Sequence, residues 1–336
     1  MALLRGCSVF FALLLTGFAL CACGGGGGST AAPRPVLQPY VLAVPTLYVA
    51  NRGVSSFGSG SSIAASILEF PITANGNVLP AVTISGNRTQ LTGPSAIAVD
   101  PSGNIYVVNE GANAAVPVLI FAPGSSGNVA PAAMLSGSNT QIEQPLGIAI
   151  DHDGLIYVSQ VFPTAKIAVF AAGSTGNTSP LRVISGLTTP TAMAFDANNN
   201  LYLGTSGNIV EFAAGANGNA APIATINVNS DSSAAIDSAG RIITGSPSPC
   251  GPGIQIFAAG ANGNAAPVQT MNPAIPCTSA FVVDSANNIY ALSGSADPAL
   301  QGISVFPSTA SGNTAPARQI NVPATILNGA SSIAIR

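Results

Sequence analysis

Between Phe121 and Pro131 the chain reads FAPGSSGNVAP. The frame of that stretch is Phe, a Gly-Asn pair whose Asn falls seven residues on, and Pro three further. The same frame occurs at Phe70/Asn77/Pro80, Phe170/Asn177/Pro180, Phe212/Asn219/Pro222, Phe257/Asn264/Pro267 and Phe306/Asn313/Pro316. Recurrence in fixed register makes the chain a repeat array, and each repeat a unit that cannot bury its apolar face alone.

Working outward from the motif, each unit carries a run ending in Asp, as in Ala96-Ile97-Ala98-Val99-Asp100, then a second run such as Asn104-Ile105-Tyr106-Val107-Val108. Short β-branched and aromatic runs bounded by Asp, Gly and Asn are strand signals. The Asp returns at Asp151, Asp196, Asp237 and Asp284. A period of about 45 residues with four short strands is the size of a propeller blade. We designate the strands A (Ile-Ala-Val-Asp), B (Ile-Tyr-Val), C (ending in Phe) and D (after Pro). The repeating Asp and the Asn of Gly-Asn read as turn residues, since each recurs at one place in the unit.

The ends of the array fix its closure. Leu47-Tyr48-Val49 is a B run with no A run before it, and Ser332-Ile333-Ala334-Ile335 is an A run with no B run after it. The expected fold is therefore an all-β, six-bladed propeller over residues 46–336, four antiparallel strands per blade, with the last strand completing the first blade. Closure of this kind removes open sheet edges.

The Pro-x-Gly/Ala-Ile-Ala-x-Asp runs, such as Pro145-Leu146-Gly147-Ile148-Ala149-Ile150-Asp151, each followed by Ile-Tyr-Val, resemble those of NHL-repeat six-bladed propellers. The resemblance spans nearly everything from Thr46 to Arg336. It implies the propeller fold but not one activity, because such propellers include lyases, lactonases and pure binding modules.

Composition narrows the partners. Only 6% of residues are charged while 47% are apolar, and 37 Gly and 26 Pro are present. A surface so poor in charge has to be finished by Ser, Thr, Asn and backbone. Lys166 is the single lysine, and no basic cluster exists, so the electrostatic footprint of a nucleic-acid binder is missing.

Residues 1–23 read as an export leader. Arg5 is a short basic region, Val9 to Leu20 an apolar run too short to span a bilayer, and Leu20-Cys21-Ala22-Cys23 resembles the bacterial lipobox. Cys23 is the expected lipidated N-terminus. Lipid-free cleavage and modification of Cys21 are the alternatives, and Leu20 fits poorly immediately before a lipobox cysteine. Residues 24–45, opening with Gly24 to Gly28 and carrying Pro33, Pro35 and Pro39, form a flexible tether reaching about 25 to 70 Å. The expected location is the bacterial cell envelope, on the outer membrane or cell surface. Cys250 and Cys277 are then the cysteines left in the exported domain. They fall in the B–C loop of blade 5 and the D–A loop before blade 6, on one face, and are expected to form a disulfide.

Ligands are expected at the mouth made by B–C and D–A loops, where Asn51, Arg52, Asn109, Glu110, Glu143, Gln144, Gln160 and Asp231 fall. The related lactonases are similar in holding a divalent cation there with Glu, Asn and Asp. This makes Asn109, Glu110, Glu143 and Asp231 the candidates for one Ca²⁺ or Mg²⁺, against the plainer reading of solvated loop polarity. His152, the single histidine, lies between Asp151 and Asp153 in an A–B turn, on the side opposite the mouth, and one histidine in a rim turn supplies no histidine cluster for acid/base or metal chemistry. No catalytic or cofactor-binding residue is assigned. The preferred reading is a lipid-anchored binding or scaffold module for a protein or polysaccharide, without cofactor. The alternative is a metal-dependent lactonase or lyase. Converging oxygens at metal distance would favour the enzyme, and a mouth of Ser, Ala and Pro the binder.

Because the tether itself offers no spanning helix, a single acyl-bearing cysteine is expected to carry the membrane attachment. Cys23→Ser is expected to move the protein from the membrane pellet to the soluble fraction on cell fractionation; unchanged partition would overturn the anchor.

Overall fold

The computed structural model describes residues 45–55, 62–110, 118–231, 233–245, 253–272, 278–293, 302–323, 326–327 and 329–336. They form six antiparallel blades around one channel, with the inner strands in contact around the ring. Blade 2 shows the plan: Pro94–Val99 (A), Ile105–Asn109 (B), Val118–Phe121 (C) and Ala133–Leu135 (D). Blade 3 repeats it with Pro145–Ile150, Ile156–Gln160, Lys166–Phe170 and Arg182–Ile184. Blade 5 has Ser233–Ile236, Ile242–Gly245, Ile254–Phe257 and Gln269–Met271. Blade 6 has Thr278–Val283, Ile289–Ser293, Gly302–Phe306 and Arg318–Asn321.

Blade 4 departs from the plan in its B–C loop. One segment, Leu201–Phe212, supplies both middle strands: Leu201 to Leu203 pair with Met193–Phe195, and Asn208 to Glu211 pair with Ala224–Asp231. The reversal fits within Thr205 to Asn208 because Gly207 takes a positive φ of 83° and the Thr205 hydroxyl donates to the Asn208 carbonyl at 3.1 Å.

Burial follows from the blades standing face to face. Each middle strand is covered on both sides, which is why B reads as a continuous apolar run rather than an alternating one. Tyr106 and Val108 pack toward Ile148, Ile156 and Val158 of blade 3, while Ile105 and Val107 pack toward Tyr48 and Ile67 of blade 1. The six core clusters correspond to the six junctions between blades. Each motif Phe ends strand C and is buried in the junction with the preceding blade. Truncating such a ring to Ala costs about 3–5 kcal/mol.

The Gly-Asn pair does more than turn the chain. Gly127 reaches back to blade 1, donating from its N–H to the Thr83 carbonyl at 2.8 Å and accepting from Ser85 N–H at 3.1 Å. The same two-bond parallel clasp joins Gly176 to Leu135, Gly218 to Ile184, Gly263 to Ile226 and Gly312 to Met271. Gly76 in blade 1 pairs with Ile320 in blade 6, so every junction has one. The following Asn strengthens the clasp from its side chain: Asn128 accepts from Arg88 N–H at 2.8 Å and donates to Asn87 at 2.9 Å. These bonds also cover the outer edge of each D strand, which would otherwise be open to pairing.

Closure is as the ends of the sequence foretell. Blade 1 is Ala330–Ile335 (A), Thr46–Asn51 (B), Ser66–Pro71 (C) and Val82–Ser85 (D), with Leu47 opposite Ile335 and Val49 opposite Ile333. Beyond the strands, Thr46 and Arg336 exchange both backbone bonds, at 2.9 and 3.1 Å. Arg336 stands where the other blades have Asp, and its guanidinium donates to the Pro101 carbonyl of blade 2 at 3.0 Å.

Removing residues 331–336 bares the inner edge of Thr46–Asn51 and the apolar faces that Ile333 and Ala334 cover. The truncated chain is expected to aggregate, or to lose its cooperative thermal transition by scanning calorimetry. Melting at the temperature of the intact chain would rule out the closure.

Candidate functional site

The inner strands of all six blades line a single channel of about 540 Å³, a volume within the range of small-ligand sites. Each inner strand is the end strand of its sheet, so a row of N–H and C=O groups outside the ladder faces the channel, some of them bonded to hydroxyls of the neighbouring blade. At the mouth the lining is hydroxylic, with Ser95, Thr191, Ser279 and Ser331. At the A–B turn end it becomes apolar, with Val99, Ile150 and Phe195, and His152 stands at that end. The mouth hydroxyls also join neighbouring blades: Ser331 donates to the Pro94 carbonyl at 2.8 Å and Ser95 to the Leu146 carbonyl at 3.3 Å. Ser233, which lines the channel and is 8% exposed, has a buried hydroxyl without a protein hydrogen-bond partner. Except for His152, no ionisable side chain among the described residues belongs to the lining.

The residues singled out at the mouth divide by role. Asn51, Asn109 and Gln160 end strand B of blades 1, 2 and 3, and all are buried. The Asn109 side-chain oxygen accepts from Thr92 N–H at 2.8 Å, the Thr92 hydroxyl at 3.3 Å and Gly93 N–H at 3.3 Å, and its amide donates to the Gln90 carbonyl at 2.9 Å. That oxygen is fully used in holding the D–A loop. Asn51 donates to Ser66 at 3.1 Å and to the Ile326 carbonyl at 3.0 Å. Glu110 forms an ion pair with Arg52 across blades 2 and 1. Glu143 and Gln144 are exposed on the loop entering blade 3.

Asp231 ends the strand Ala224–Asp231, its backbone opposite Ser206, and its side chain is outside the described residues. Cys23, Cys250 and Cys277 also fall outside them. Among the described residues, no three His, Cys, Asp or Glu side chains converge as metal ligands. The repeating Asp residues are turn caps: Asp100 accepts from Asn104 N–H at 2.8 Å and from its side-chain amide at 2.7 Å. His152 offers its backbone N–H to Asn199 of blade 4 at 3.0 Å.

No family model and no curated protein sequence matches the chain. Among solved structures it is similar to a crystal structure of a protein of unknown function from Bacteroides caccae, with a TM-score of 0.60 and 11% sequence identity. The match covers 87% of this chain and 99% of that one. At that identity the likeness is one of fold.

Sequence reasoning missed a set of buried polar relays behind the channel. Tyr48, Tyr106, Tyr157, Tyr202 and Tyr290 occupy one register position in strand B. In blade 3, Arg182 donates to the Tyr157 hydroxyl at 2.7 Å and that hydroxyl to Asp151 at 3.2 Å; in blade 6, Arg318, Tyr290 and Asp284 do the same at 2.9 and 3.2 Å. Burial first, then the neighbouring Asp100 charge, pushes Tyr106 up to about 12, and burial likewise pushes Tyr157 to about 12. In blade 4 the position of Arg182 is held by Ala224, and the carboxyl of Glu211 faces Tyr202 instead. Burial raises Glu211 above the ordinary carboxylate value, Asp196 adds to the shift, and the Tyr202 hydrogen bond opposes it. Burial also raises Glu69 in blade 1.

A carboxyl raised on folding stabilises the fold while protonated, and that contribution fades as pH climbs from the unfolded value through the raised one. Glu211→Gln keeps an acceptor for Tyr202 and removes the charge. Its melting temperature is expected to exceed wild type near pH 8 and to converge with it near pH 4, while Glu69 leaves a residual slope. Parallel melting curves across that range would show that Glu211 is ionised without penalty.

Proposed function

We propose that this propeller is a non-catalytic binding module that holds an uncharged polar ligand at the channel mouth. The observation that carries the reading is the channel itself, hydroxylic at its entrance and lined, among the described residues, without Asp, Glu, Lys or Arg. The strand-edge amides and carbonyls that neighbouring hydroxyls do not occupy offer hydrogen bonds of both senses without charge. The acidic candidates support the same reading, since Glu110 is neutralised by Arg52 and the Asn109 oxygen is saturated by backbone and hydroxyl donors.

Export, a lipid on Cys23 and a Gly/Pro-rich tether would display the module on the cell envelope, in the manner of an NHL-repeat-like lipoprotein. A disulfide between Cys250 and Cys277 would suit an oxidising compartment and would stabilise by roughly 3 kcal/mol on chain-entropy grounds.

The test is a comparison of wild type with the triple variant Glu110→Ala, Glu143→Ala, Asp231→Ala on lactone and lyase substrates, with Ca²⁺, Mg²⁺ or Zn²⁺ added. The expected outcome is no turnover by either protein. Metal-dependent turnover that disappears in the variant would replace the binding reading with that of a propeller hydrolase or lyase.

A further inference from the structure

The large exposed apolar side chains among the described residues fall into two groups. Leu79, Leu181, Ile223 and Val268 flank the motif Pro at the outer rim, and Met134 lies on an outer strand. Phe162 is different: 65% exposed, it stands in the B–C loop of blade 3, on the mouth face.

Its support is unusually firm for a loop. Gln160, 2% exposed, donates from its side-chain amide to the Phe162 carbonyl at 3.1 Å and the Thr164 carbonyl at 3.3 Å. The oxygen of the same amide accepts from Glu143 N–H at 3.1 Å. One buried amide therefore fixes the loop that presents Phe162 against the loop that presents Glu143 and Gln144. Thr164 is exposed in the same loop, and half-buried Lys166 begins the next strand.

We infer that Phe162 is a stacking platform for the C–H face of a neutral sugar ring, with Glu143, Gln144 and Thr164 as hydrogen-bonding neighbours, and that the ligand of this face is a polysaccharide. The inference rests on the binding reading above and names its ligand class. An aromatic face is electron-rich and attracts the positively polarised C–H groups of a pyranose. Sugar hydroxyls need donors and acceptors at the ring's edge, which a carboxylate, an amide and a hydroxyl supply. A protein partner would ask for something else: a contiguous apolar patch with several anchors at its centre. Phe162 has polar neighbours, and no second large apolar side chain is exposed among the described residues of the mouth face.

The experiment is affinity electrophoresis of the full chain in native gels cast with a mixed-linkage β-glucan, a xylan, a galactomannan or a dextran. Wild type is expected to be retarded by at least one. Phe162→Ala is expected to weaken that retardation about five- to tenfold in apparent affinity, the scale of one lost aromatic contact, and Phe162→Trp to retain it. Both variants change an exposed side chain and are expected to melt with wild type, so weaker retardation reports on the ligand. No retardation of wild type in any gel, or equal retardation of Phe162→Ala, would overturn the inference. Metal-dependent turnover in the substrate assay would instead remove the binding reading beneath it, so the two failures are separately visible.

Discussion

The rest of the structure depends on a requirement that no single blade can meet. A four-stranded sheet whose middle strands are apolar on both faces has to be covered twice, and only a ring gives every sheet two neighbours of its own kind. Two sets of bonds hold the ring together. At the inner radius, Thr46–Asn51 pairs with Ala330–Ile335 and closes one blade from two distant segments. At the outer radius, a glycine from each C–D loop clasps the strand of the preceding blade. Between these two radii lie the six apolar junctions.

Glycine at the clasp is a backbone requirement. The six clasp glycines have φ of 60° to 77°, a region that costs a residue with a β-carbon and costs glycine nothing. The loop can then turn its N–H and C=O together toward the neighbouring strand. The chain uses so little charge for a related reason: side-chain hydroxyls, amides and backbone groups already satisfy one another at the rims. Two of the arginines, the half-buried Arg182 and Arg318, serve the tyrosine relays.

The architecture was legible because it is written in period: six recurrences of the Phe and Gly-Asn frame, and two half-blades at the ends that complete each other. Blade 4 shows the limit. Its B–C connection is shortened until two strands run into one, and nothing in the Leu-Tyr-Leu run announces that until Gly207 is seen to turn. At the mouth, polarity was legible but its purpose was not. Asn109 was a candidate ligand by its place at the mouth and by the lactonase resemblance, and its oxygen points inward to Thr92 and Gly93. The signal that could have separated them was comparison across repeats. Asn51, Asn109 and Gln160 all follow the Ile-Tyr-Val or Leu-Tyr-Val run, and a polar residue recurring there is an anchor. Phe162 has no counterpart in the repeat and so escaped a reading built on recurrence.

Closure of the first blade by the last strand also sets a timescale. Leu47 and Ile335 meet across nearly the whole of the folded chain, so the entropy of bringing them together is spent before their contacts return any of it. Non-local pairing of this kind makes for slow folding. The same seam slows the reverse process, since opening any blade within a closed ring disturbs two junctions at once. Persistence of the folded state is then governed by the rate at which the seam parts, so the fold is protected kinetically as well as by its equilibrium stability.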